Sequence, residues 1–250
     1  MKTTVTMSTP EKHIGESAKI CYGTKSIEDG GKDITSTLVH EHKHLASLRF
    51  AYMSVHIEGI SVACQNQIVR SKHLDFMVQS KRYVNADKGE FEFIMPEGLD
   101  DIEELTMKET WETLLETYKA LLKIGVKKED ARAILPANTS TKMNVTGNLQ
   151  AWMSFFTLRL DSHAQKEVRA VANSIWNHAS DLFPQVFTEA TYNKLTKVKD
   201  EARGYASESI PTMQAYVDSL SKKGIKSTTV TVEDLRVMLN HIEDLEMENR

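Results

Sequence analysis

The spacing of apolar residues changes partway along this 250-residue chain, and that change constrains its fold more than any other feature. Residues 51–58 alternate: Tyr52, Ser54, His56 and Glu58 fall on one side, Met53, Val55 and Ile57 on the other. A period of two is that of a strand with one buried face. From residue 100 the spacing becomes three to four, with Leu105, Trp111, Leu114, Leu115, Tyr118, Leu121 and Leu122 on one stripe. That is the period of an amphipathic helix over 100–124. Residues 148–182 read as a second long amphipathic helix. The first half therefore supplies strands, and the second half is mostly helical.

The remaining elements follow from local signals. Residues 2–7 alternate weakly and suit an edge strand. Thr9-Pro10-Glu11 opens a helix over 11–20, with proline in the first turn. Residues 23–33 are polar and Gly-rich, a loop, and 36–47 read as a helix. Residues 59–71 read as a helix with Ile60, Ala63, Cys64, Gln67 and Ile68 along one face. Residues 89–95 suggest a second strand, stopped by Pro96, and 128–135 a short helix ended by Pro136. Residues 219–231 are rich in Ser, Lys and Thr and read as a linker. Thr231 then caps a final helix, with Asp234 three residues on. Leu235, Met238, Ile242 and Leu245 trace two heptads, a length that favours packing on the body over an oligomer contact.

Net charge is -4, which excludes a global basic field for nucleic acid. No apolar run reaches the roughly 20 residues needed to span a bilayer, and the N-terminus lacks the apolar segment of a signal peptide. Cys21 and Cys64 are the only cysteines. That count excludes a disulfide framework and a cysteine-rich metal site, and a reducing cytoplasm is expected.

The densest chemistry lies in residues 70–83, RSKHLDFMVQSKRY: Arg70-x-Lys72, seven residues, then Ser80-x-Arg82-Tyr83. Four further blocks stand around it: KHLASLRF at 43–50, HIEGISVACQNQIVR at 56–70, ARAILPANTSTKMNVTGN at 131–148, and LRLDSHAQKE at 158–167. In order and spacing these blocks resemble the flavin-dependent thymidylate synthases. The signature of that family is Arg-His-Arg, seven residues, then Ser-x-Arg-Tyr. The resemblance covers about residues 14–190. It implies an α+β fold of the thymidylate synthase-complementing protein type: a small antiparallel sheet with long helices, plus a C-terminal helical extension. The expected division is a domain at 1–190 and an extension at 191–250. It also implies a homotetramer with sites between subunits, FAD as cofactor, dUMP as substrate, and methylenetetrahydrofolate and NADPH as co-substrates. No cysteine nucleophile and no metal are expected.

Carried over position by position, the resemblance implies that Arg82 and Arg132 grip the nucleotide phosphate. Guanidinium forks bind a phosphate dianion bidentately. Ser80 would lie beside that phosphate, and Gln67 would face the nucleotide. Arg159, the expected catalytic residue, would stabilise charge developing on the pyrimidine ring. Arg70, Ser71, Lys72, Asn148 and His163 would hold FAD. Several positions depart from the pattern. Arg49-Phe50 replaces Glu-His, Ser71 replaces His, Lys72 and Gln150 replace Arg, and Val78 replaces a Glu. The flavin side therefore reads as rewritten and the nucleotide side as kept. Two alternatives follow. One is hydroxymethyl or methyl transfer to dUMP or dCMP with altered flavin use; the other is a non-catalytic nucleotide-binding paralogue.

His40-Glu41-His42-Lys43-His44 invites a metal reading, since His40 and His44 would share a helix face. No carboxylate or cysteine at ligand spacing completes the set, so a helix leading into the site is preferred. Cys64 reads as a small buried helix residue and Trp111, Trp152 and Trp176 as core.

Overall fold

The computed structural model describes residues 1–82 and 91–196, all within one compact unit, Met1–Lys199. Tyr83, the expected linker at 219–231, the final helix and its apolar seam lie outside the described residues. Four strands form one antiparallel sheet in the order β1-β2-β4-β3: β1 Lys2–Ser8, β2 Tyr52–Ser61, β3 Asp75–Val78 and β4 Ser140–Asn148. The alternation of β2 lands as expected: Met53, Val55 and Ile57 are fully buried, with Met143 and Val145 of β4 beside them. On the other face Ser54 bonds Thr146 at 2.6 Å and His56 bonds Asn144 at 2.7 Å.

Helices α5 (Leu149–Arg159) and α6 (Lys166–Leu182) contribute to the main core. Val168, Val171, Ala172, Ile175, Trp176 and Ala179 of α6 are buried at helical spacing. Trp152, Phe155, Phe156, Trp176 and Phe187 meet edge to face or tilted, and the Trp152 indole donates to Met53 O at 2.9 Å. Trp111 is buried too, in a second, smaller core with Phe91, Tyr118 and Ala131. That core joins α3 (Asp101–Lys123) to α4 (Lys128–Ala131). A capping box starts α3: Asp100 accepts from the backbone of Ile102 and Glu103, and Glu103 accepts from Asp100 N. The remaining helices are α1 (Lys12–Tyr22), closed by left-handed Gly23, the short α2 (Val62–Ile68), and α7 (Glu189–Thr196).

Four expectations are corrected. Residues 36–47 are not one helix. A π-turn at Thr37–Glu41 ends where Lys43 adopts a left-handed φ of 56°, and a 3-10 helix follows at Leu45–Phe50. His40 and His44 therefore take separate partners, Gln185 O at 2.7 Å and the Tyr22 hydroxyl at 3.2 Å. Residue 59 does not begin a helix. Gly59, at φ 68°, sits where the β2–β4 register shifts, and the strand continues to Ser61. The helix expected over 148–182 is two, broken by the turn in which Asp161 accepts from His163 N. Residues 91–95 form no named strand; Phe93 makes an isolated bridge to Thr139.

Candidate functional site

The short helix α2 organises the site. Ser61 caps it, accepting from Cys64 N at 2.9 Å. Glu167, at the start of α6, accepts from Ser61 N at 2.7 Å and from the Ser61 hydroxyl at 2.5 Å. Gln165 accepts from the Gln67 side-chain amide. At the same end of α2, Arg159 donates from Nη2 to Gln67 O at 2.6 Å. Its Nε is buried without a hydrogen-bond partner among the described residues. Burial, and then the neighbouring charge of Arg70, push the Arg159 guanidinium pKa down from its ordinary value. Gln67, Arg70 and Arg159 are thus brought together. Cys64 is buried, and burial with the nearby Glu167 charge pushes its thiol pKa far up, so it is no nucleophile.

The other end of α2 faces a second cluster. Val62 lines a cavity of about 440 Å³ with Lys81, Glu129, Arg132, Leu135 and Thr139 among its walls. Arg82 pairs with Glu129 at 2.9 Å, and Arg132 Nε donates to Glu129 O at 3.1 Å. The Ser80 hydroxyl accepts from Arg82 N at 3.3 Å. Ser80, Arg82 and Arg132 therefore gather around α4, apart from Gln67 and Arg159. Seven helical residues separate the two groups by on the order of 10 Å.

The residues matched to the flavin are more scattered. Arg70 and Lys72 are exposed, whereas Ser71 is buried and its Oγ has no partner among the described residues. The segment then turns at His73, φ 66°, and presses on β4; an added Cβ at Gly147 would run into Leu74. Asn148 caps α5 by accepting from Ala151 N at 2.9 Å, at the far end of that helix from Arg159. His163 is exposed on the following turn, its ring bonded to Asp161 at 2.9 Å. Arg49 donates from Nε to the Gln150 side chain at 2.5 Å.

Sequence reasoning passed over Lys81, Glu129, Gln165 and Glu167. Glu167 and Gln165 stood inside the 158–167 block, and Lys81 between two assigned residues, so adjacency was the available signal. Among the described residues no three His, Cys, Asp or Glu side chains are placed to hold a metal ion, and no helix is long and apolar enough to cross a membrane.

Comparison with known proteins identifies the family and the fold. The family model described as thymidylate synthase complementing protein matches residues 3–185. A flavin-dependent thymidylate synthase of Geobacter sulfurreducens is 31% identical over 196 residues, covering 75% of this chain and 84% of that protein. One from Pyrococcus furiosus is 34% identical over 173 residues, covering 68% and 70%. The crystal structure of thymidylate synthase X from Helicobacter pylori, solved with FAD and dUMP, has the same fold. Its TM-score is 0.64 at 19% identity, over 77% of this chain and 99% of that one. A match across most of the chain, with a sheet and helices in the same arrangement, makes this protein a member of the thymidylate synthase complementing protein family.

Proposed function

We propose that the chain is a flavin-dependent thymidylate synthase, converting dUMP to dTMP with a one-carbon unit from methylenetetrahydrofolate and electrons from NADPH. The observation that carries the reading is the Gln67–Arg159 pair at one end of α2, with a cationic cavity at the other. A nucleotide laid along α2 would place its phosphate by Arg132, Arg82 and Ser80 and its base by Gln67 and Arg159. The Nε of Arg159, buried without a partner among the described residues, is a donor awaiting an acceptor, and a guanidinium there stabilises negative charge developing on the ring.

The residues present also fit FAD. Arg70 and Lys72 offer exposed cations to an anionic cofactor, and the buried Ser71 hydroxyl lacks a partner among the described residues. Asn148 closes β4 and caps α5, and His163 lies on the exposed turn after α5. When bound, FAD supplies the reducing equivalents that turn the transferred carbon into a methyl group. Arg49 adds to this set. Its contact with Gln150 returns a guanidinium to the place where the resemblance expects an arginine at position 150. The flavin side is on this reading rearranged rather than lost. We place the protein in a reducing cytoplasm, as a homotetramer whose subunits complete one another's sites. The test is the absorption spectrum of the purified full chain with a dUMP titration by calorimetry. A flavin band and saturable dUMP binding are expected. A colourless protein that takes up neither ligand contradicts the assignment.

A further inference from the structure

The geometry points to Lys81 as the second uncompensated cation of the cavity beside α4, the group that lets it match a phosphate dianion. The inference rests on the nucleotide reading and deepens it. Among the described residues two cations and one carboxylate line it, Lys81, Arg132 and Glu129, and Arg82 reaches that carboxylate from beside the cavity. Glu129 is engaged by Arg82 at 2.9 Å, so that pair is close to neutral as a unit. Without Lys81 the cavity would present one net positive charge, from Arg132, to a ligand carrying two negative ones. With it the charges match.

The lysine is held for this task. Its Nζ donates to Ser140 O of β4 and stands 4.8 Å from the centre of the Phe91 ring. A carbonyl and an aromatic face both favour the ammonium and leave N–H donors unused. Lys81 also lines the cavity itself, whose 440 Å³ exceeds what a phosphate group alone requires. Among the described residues, the charged groups that share the cavity wall with Lys81 are Glu129 and Arg132 from the α4 side, with Arg82 next to it on its own segment; β4 contributes a carbonyl and Phe91 a ring. Burial pushes the ammonium pKa down to about 8, so it is charged at neutral pH and loses its proton within a reachable range. A monoester phosphate is already a dianion at neutral pH, its second pKa being about 6, but the uracil imide begins to lose its proton toward pH 9, so the lysine is reported by the pH dependence that wild type shows beyond that of Lys81→Arg.

The experiment is calorimetric titration of the full-length, flavin-loaded protein with dUMP at pH 7 and pH 9. Wild type, Lys81→Arg, Lys81→Met and Arg132→Ala are compared. Wild type should bind about tenfold more weakly at pH 9, since one charge-assisted contact corresponds to roughly a tenfold change in affinity or more. Lys81→Arg, charged at both pH values, should lose only the smaller part that ionisation of the uracil imide causes. Lys81→Met keeps the apolar stem; it should be about tenfold weaker at pH 7 and share the shallow pH slope of Lys81→Arg. Should dUMP binding depend on Arg132 while Lys81→Met keeps wild-type affinity and pH slope, the Lys81 inference is overturned and the nucleotide reading stands. Failure of wild type to bind dUMP at either pH overturns both.

Discussion

Arg132 and Arg159 differ from Arg70 and Lys72 in what holds them. Arg159 is anchored to Gln67 O and Arg132 to Glu129 O, and both anchors belong to helices α2 and α4 that pack on buried cores. Arg70 and Lys72 project from an exposed turn between α2 and β3. On the proposed nucleotide side Arg159 is half-buried and held by a backbone carbonyl at the end of α2, whereas Arg132 is exposed and held by a carbonyl of its own helical turn. The residues matched to the flavin are mixed: Arg70, Lys72 and His163 are exposed and Ser71 is buried, while Arg49 donates to Gln150, the position at which the family pattern has an arginine. A preorganised group such as Arg159 has its geometry set by the fold, whereas exposed groups such as Arg70 and Lys72 are ordered by what they bind.

The comparison breaks most readily at Arg159. Arg159→Ala should lower turnover about 10²–10³-fold, the usual cost of removing a donor that meets charge formed only during the reaction. Steady-state kinetics with dUMP as the varied substrate measures this; a loss confined to KM would make Arg159 a binding group only. Arg132→Ala should weaken dUMP binding by about 2–5 kcal/mol if its charge pair with the phosphate is desolvated. Calorimetry checks it, and Arg82→Ala should cost less, because Arg82 is already paired with Glu129 at a half-exposed surface.

On the flavin side, Arg49→Ala should weaken FAD binding by about 1.5–3 kcal/mol, the worth of a charge-assisted hydrogen bond. Gln150→Arg should bring no gain while Arg49 is present, since two guanidiniums would then face each other. A fluorescence titration in which Gln150→Arg alone tightens FAD binding would show that Arg49 does not stand in for it. The smallest effect is expected at Ser71. Ser71→Ala should leave the unliganded fold as stable or slightly more so, because a buried hydroxyl without a partner is removed. FAD affinity should fall by about 1 kcal/mol. Thermal melts with and without FAD separate the two.

Residues with strong periodicity were legible in advance. The buried Met53–Val55–Ile57 face follows from spacing alone, and so does the α3 stripe from Trp111 to Leu122, although its expected first member, Leu105, is exposed. Strand β4 was not legible, because Thr141 and Gly147 occupy two of its inward positions and only Met143 and Val145 advertise an apolar face. Strand β3 is four residues long and mostly exposed, so it carries almost no pattern. Gly59 looked like a helix boundary because a bulge and a helix start use the same residue. The break between α5 and α6 hid within a continuous three-to-four period. Most of the site positions came from the family resemblance, whereas their contacts did not. The Arg49–Gln150 pair joins residues 101 apart in sequence, and no local signal reports such a contact.

The central claim is that a rearranged flavin side still serves thymidylate synthesis. The direct measurement is mass spectrometry of the products formed by the full-length, FAD-loaded protein from dUMP, isotopically labelled methylenetetrahydrofolate and NADPH. The account predicts dTMP carrying the labelled carbon, formed only when NADPH is present. Hydroxymethyl-dUMP formed without NADPH, or unchanged dUMP from protein that binds FAD and dUMP, would contradict it.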